Sequence, residues 1–327
     1  MPSPSALEQW ATEQYTATAA HFNDPDCMED WQIELHTNES KQSISIVQSL
    51  LQDEIDVSVA ASAIAKMCEP RLVPNQGVQA PEGLCLVLCR AIEHFADETA
   101  SRTKLASLLV ELSKIDVRDA SGNPVKMEEG REVFWSELPG WILAWRDNMT
   151  ANEDIILLGV PDRGAYEDHS DYINAWQRRF QNGNLFQAHW LAQIGQSGPQ
   201  RFFNYATVIA REHLREALET NMEDTPMGLR RTELYVAGIL PWVSEAGAPL
   251  LKLCRDEYGR DGTKVFSPPG SDEGVVDYAF VGDDGFHMER WGVWKAALRR
   301  VAGLKGISPE VASGAAAGAE EMGRLEQ

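Results

Sequence analysis

Large classes of protein are excluded by what this chain of 327 residues has little of. Cysteine is scarce and odd in number, five in all (Cys27, Cys68, Cys85, Cys89 and Cys254), which fits reduced thiols rather than a disulfide framework. Cations are scarce too. Lys plus Arg number 29 against 50 Asp plus Glu, a formal charge of −21, and so acidic a surface repels phosphate backbones and anionic lipid. Nucleic acid and membrane surfaces are therefore not expected partners. Long apolar runs are missing: Leu84–Cys89 and Ile155–Val160 are six residues each, against roughly 20 for a membrane-spanning helix. The first residues, Met1 to Tyr15, are polar and carry Glu8 and Glu13, so they do not read as a secretory signal, and a cytoplasmic protein is expected.

Recurrent chemical motifs are absent as well. The chain has no Gly-x-Gly-x-x-Gly, no phosphate loop ending in Gly-Lys-Ser/Thr, no Gly-x-Ser-x-Gly, no His-Glu-x-x-His and no Cys-x-x-Cys. No cofactor is implied by any of these patterns. No alternating strand pattern of useful length and no fixed-period repeat occurs either.

What is present is a helical period. Leu105, Leu108, Leu109, Leu112 and Ile115 recur at helical spacing over Thr99–Ile115, with Thr99 or Ser101 placed to cap the start. Pro81–Asp97 is apolar on most sides and predicts a central helix. Further helices are predicted over 39–54, 57–68, 202–220, 230–254 with a kink at Pro241, and 286–301 with Asp284 as its cap. The stripe Phe134, Leu138, Trp141, Ile142, Trp145, Met149 is expected to split at Pro139, and Asn182-Gly183-Asn184 to break 172–194 into a helical pair. Residues 256–285, rich in Gly, Pro and Asp, read as a long loop. The expected fold is a single all-α domain of about ten helices over residues 1–306, followed by a mobile tail over 307–327 that lacks large apolar anchors.

Candidate chemistry sits on a few residues. Cys85 and Cys89 share a helix face with His94 nearby, which suits soft-metal ligation but suits buried thiols among Leu, Val and Ile better. Glu167-Asp168-His169-Ser170-Asp171 is the densest cluster of hard ligands, and acidic residues in a first helical turn are also expected from the helix dipole. No metal site is assigned. Ten Trp residues are the unusual feature, and Trp135, Trp141, Trp145, Trp291 and Trp294 form either core or an aromatic ligand pocket, with Arg146 and Arg290 beside them as fixed charges. His94, His189 and His287 are candidate acid–base groups.

Five stretches carry a resemblance: Arg90–Phe95, Leu108–Lys114, Val117–Pro124, Phe134–Trp141 and Gly285–Lys295. In these the chain resembles a family of fungal proteins known as a domain of unknown function, number 3632. The resemblance implies a fungal, largely helical, intracellular protein with no assigned activity, and relatives near secondary-metabolite genes suggest a metabolic role. Two functions remain open. One is a cofactor-free cyclase or isomerase acting on an apolar small molecule, with His94, Arg146 and Arg290 as catalytic candidates. The other is a non-catalytic helical scaffold whose acidic faces bind a protein partner.

Overall fold

A computed structural model describes residues 2–21, 30–69, 80–119, 121–126, 134–138, 140–149, 170–194, 200–219, 226–260 and 282–327. Twelve helices run through them and no strand appears among the described residues, so the fold is all-α. The only pairing of extended residues there is one isolated bridge, Arg118 to Pro124. Two compact units divide the chain, Met1–Thr150 with Gly198–Phe202 and Ala151–Ser197 with Phe203–Gln327.

The first unit holds α1 (Pro4–His21), α2 (Asp30–Leu51), α3 (Val57–Cys68), α4 (Glu82–Phe95), α5 (Thr99–Ser113) and α6 (Trp141–Met149). Helix α4 is its centre, with eleven of fourteen residues buried. It packs against α2 and α6, and α1 covers it through Trp10, edge-on to Phe95 at 5.5 Å, and through Gln14, which accepts a hydrogen bond from Arg90. Gly83 is needed where α4 meets α2, because a Cβ there would lie 2.6 Å from Ser40 Oγ and 2.8 Å from the His36 carbonyl. Lys104 of α5 reaches the last carbonyls of α2, Leu50 and Leu51, and pairs with Asp53 at 2.6 Å, a cation placed at the negative end of that helix.

The second unit holds α7 (Ser170–Ile194), α8 (Gln200–Leu218) from Phe203 onward, α9 (Pro226–Ser244), α10 (Gly247–Arg255), α11 (Met288–Ala302) and α12 (Pro309–Leu325). Helix α9 packs on α7, α10 and α12, and α11 packs on α10 and α12. The α7–α9 contact is close: a Cβ on Gly238 would fall 2.2 Å from the Phe180 ring. The Phe180 ring also stacks on Trp176 and meets Tyr235 edge-on.

Several sequence expectations change. Residues 307–327 are not a mobile tail: α12 starts at the Ser308 cap and buries Val311, Ala315, Ala319 and Met322. Its anchoring is close approach rather than bulk, since a Cβ on Gly314 would lie 2.5 Å from Leu240, so the small residues that looked like missing anchors are the packing surface. Helix α7 is continuous, because Asn184 is buried and satisfied by tertiary partners instead of ending a helix. The predicted helix 230–254 is two helices bent by 82° at Glu245 and Ala246, while Pro241 lies inside α9. Residues 134–138 form turns, not helix, because Trp135 and Leu138 hold positive φ of 60° and 44°, a region only sparsely open to side chains other than glycine. The predicted hydroxyl cap of α5 is not made: Glu98 occupies that position without a side-chain bond. Pro139, most of the 256–285 loop and Glu167 to His169 of the acidic cluster lie outside the described residues.

Two glycines give opposite tests of this packing. Gly238→Ala is expected to destabilise the protein by about 1–3 kcal/mol through overpacking on Phe180. Gly292→Ala, in the exposed middle of α11 with no atom within 4 Å of the new Cβ, is expected to stabilise it by about 0.5–1 kcal/mol. Urea unfolding midpoints for the two variants against the parent check both signs.

Candidate functional site

The segment Gly285-Phe-His-Met-Glu-Arg-Trp-Gly-Val-Trp294 builds a buried polar cluster in the second unit. Gly285 has φ of 96° and sits so close to Gly259 that a Cβ would lie 2.5 Å from its carbonyl carbon, so glycine is required where the chain turns into α11. The cap of α11 is His287, not Asp284. Its Nδ1 accepts from the Arg290 amide at 3.3 Å, and its Nε2 lies 3.1 Å from the Asp283 carbonyl, which assigns the proton to Nε2. Protonation of Nδ1 would remove the cap.

Arg290, one turn into α11, is fully buried, and each of its nitrogens has a partner. Nε and Nη2 donate to the two oxygens of Glu219 at 2.5 and 2.9 Å, and Nη1 donates to the Gly285 carbonyl at 2.8 Å and to Asp284 at 3.3 Å. Glu219, also fully buried, takes a third bond from Trp294 Nε1 at 2.7 Å. Asp284 is freed from capping because its other oxygen binds Arg211 of α8 at 3.0 Å. Two carboxylates and two guanidinium groups thus form a neutral chain, Glu219–Arg290–Asp284–Arg211. Burial alone would lower the Arg290 pKa, but the hydrogen bonds and charge of Glu219 outweigh it, and the net shift is upward. Cys254 lies in the same region. Burial pushes its thiol up to about 12 against the opposing pull of Arg290 and the His287 amide, so it is no thiolate nucleophile.

A second buried polar cluster lies between α7, α8 and α9. Asn184 Oδ1 accepts from Trp242 Nε1 and pairs with His213 Nδ1, both at 2.6 Å, while its amide donates to the Phe180 carbonyl. His213 is held to a pKa of about 4 by burial, so it is neutral and donates from Nδ1.

The sequence candidates fall in both units. Arg290, Trp291 and Trp294 belong to the second unit, whereas His94, Trp135, Trp141, Trp145 and Arg146 belong to the first. All five Trp side chains are buried. Trp141 and Trp145 lie 5.5 Å apart, Trp135 meets Phe134 edge-on, and Trp291 Nε1 donates to Glu326. His94 Nδ1 bonds back to the Arg90 carbonyl of its own helix. Arg146 is exposed and pairs with its neighbour Asp147. His189 faces Glu245 at 3.5 Å and Gln193 at 2.7 Å. Cys85 and Cys89 are buried on α4, and among the described residues no group of three or more His, Cys, Asp or Glu side chains is placed to hold a metal. Sequence reasoning missed Glu219, Asn184, His213 and Trp242. Glu219 did carry a signal: it is a carboxylate at the C-terminal end of a helix, where the dipole disfavours it unless a cation is brought to it.

Both clusters make predictions. Arg290→Met leaves Glu219 buried without a counter-charge and is expected to cost about 3–5 kcal/mol in urea unfolding, while adding Glu219→Leu recovers part of that loss. For His213 the folded pKa is below the unfolded value of about 6.5, so the unfolded chain binds the extra proton between about pH 6.5 and 4. Stability is complete above that window and falls by about 3 kcal/mol as pH drops through it. Unfolding titrations of parent and His213→Gln between pH 7 and 4 check this, the variant showing the flatter profile.

The family model described as "Protein of unknown function (DUF3632)" matches residues 84–298. No curated protein and no solved structure matches the chain. The matched region starts in α4 and ends in α11, taking in the α4 centre of the first unit and the Arg290 network of the second. Since it spans about two thirds of the chain, the protein belongs to this family of unknown function, DUF3632.

Proposed function

We propose that the protein is a non-catalytic helical interaction module whose acidic exterior holds a basic protein partner. The observation that carries this reading is the way the cations are used. Lys104, Lys114, Arg118, Arg146, Arg260, Arg290, Lys295 and Arg324 are each engaged with carboxylates of the same chain. With so many cations engaged, a formal charge of −21 leaves carboxylates such as Glu8, Asp97, Glu289, Glu310 and Glu320 facing solvent. A field of one sign steers and selects partners of the opposite sign.

Two of the three residues first considered as catalytic, Arg290 and His94, support the same reading. Arg290 spends its donors on Glu219, Asp284 and Gly285, and His94 bonds to its own helix. Arg290 has no nitrogen left over to stabilise charge developing on a substrate.

Native mass spectrometry of the full chain purified from its host tests the proposal. A basic protein bound at low salt and released as salt rises is the expected result, because the screening length falls from about 10 Å at 0.1 M to about 3 Å at 1 M. A released apolar small molecule, or no protein partner at low salt, overturns it and returns the choice to the enzyme reading.

A further inference from the structure

Helix α12 lies beyond the family match, which ends at residue 298, yet it is packed against α9 and α11 of the matched region. Its hold there is uneven. Along its length it buries Val311, Ala315, Ala319 and Met322, and its glycines admit neighbours closely: Gly314 lets Leu240 approach within 2.5 Å of where a Cβ would be, and Gly318 does the same for Leu298 at 3.3 Å. The polar ties are at the two ends. At the C-terminal end Glu326 accepts from Trp291 Nε1 at 2.8 Å and pairs with Lys295 at 2.5 Å, which holds its carboxyl below the usual range. At the N-terminal end the Ser308 amide donates to Glu233 of α9 at 2.5 Å, and Ser308 Oγ accepts from the Val311 amide at a long 3.4 Å.

Ser308 is followed by Pro309, the dipeptide that proline-directed protein kinases accept. Its backbone is extended, φ −60° and ψ 146°, as a residue before proline must be, and Lys305, Gly306, Pro309 and Glu310 beside it are exposed. Ser3, Thr225 and Ser267 also precede proline, but among the described pairs Ser308 alone stands at a junction between two packed helices and against a carboxylate of a third.

We propose that Ser308 is a phosphorylation site that controls the docking of α12. In the reaction Ser308 Oγ attacks the γ-phosphorus of ATP, the new O–P bond forms as the bond to the bridging β,γ-oxygen breaks, ADP leaves, and the hydroxyl proton passes to the kinase base. The phosphate carries nearly two negative charges. At an isolated helix start those charges would favour the helix. Here they are added to the residue whose amide already holds the Glu233 carboxylate, with Glu310 two residues on, so like-charge repulsion acts on the N-terminal tie. With the N-terminal tie lost, α12 lifts from Leu240 and Leu298. This proposal is independent of the acidic-module reading.

The test treats the full chain with a proline-directed kinase and Mg-ATP, maps the phosphate, and follows amide hydrogen exchange across 309–325. One phosphate on Ser308 is expected, with exchange in 309–325 at least tenfold faster. Ser308→Gly, which keeps most of the capping preference, blocks both effects. Glu233→Gln is expected to accept the phosphate yet keep most of the protection, since the repelling charge is gone. Absence of phosphate on Ser308, or a phosphorylated chain whose 309–325 exchange is unchanged, overturns the proposal.

Discussion

The pair of Glu219 and Arg290 is the constraint on which the second unit turns. A carboxylate and a guanidinium, each fully buried, are tolerable only if every hydrogen-bonding position is used, because an uncompensated buried charge costs several kcal/mol. Meeting that condition places other residues. Trp294 must turn its indole nitrogen to Glu219, Gly285 must offer its carbonyl to Arg290, and Asp284 must leave the cap of α11 to reach Arg290 and Arg211. His287 then takes the cap in its neutral form. One ion pair thereby fixes the end of α8, the entry to α11 and the register between them.

Apolar packing around one helix organises the first unit. Helix α4 is apolar nearly all round, and α1, α2 and α6 surround it. Two segments between the unit's helices are set by backbone conformation. In Val117–Pro124, Asp119 accepts from the amides of Ser121 and Asn123, bonds that hold its carboxyl below the usual range, and Gly122 follows at φ of 81°. In Phe134–Trp141, Trp135 is buried at a left-handed backbone position, where the burial of a large ring offsets a strain of about 1–2 kcal/mol.

Helices with a strong apolar period were legible in the sequence. Val57–Cys68 is found where it was predicted, and α4, α5, α8 and α11 are within a few residues, because side-chain spacing reports which face is buried. What failed was the reading of polar and small residues. Asn182-Gly183-Asn184 signals a break only if its side chains bond locally, and Asn184 bonds instead to His213 and Trp242, 29 and 58 residues away. The Ala and Gly content of 307–327 signals disorder only if no neighbour fits closely against it, and Leu240 and Leu298 do. Asp284 was the obvious cap by position but is claimed by two arginines. Local rules give way wherever a distant partner satisfies the same atom better, and sequence spacing does not encode that partner.

The same limit governs the candidate site. Arg290, Trp291 and Trp294 were identified as a group, yet their role depends on Glu219, 71 residues before Arg290, and on Glu326, 35 residues after Trp291. An arginine beside tryptophans in a sequence is equally a ligand clamp or a structural lock, and only the burial and occupancy of its nitrogens separate the two. With Nε, Nη1 and Nη2 all engaged inside the chain, the charge that would have acted on a substrate holds the protein together instead.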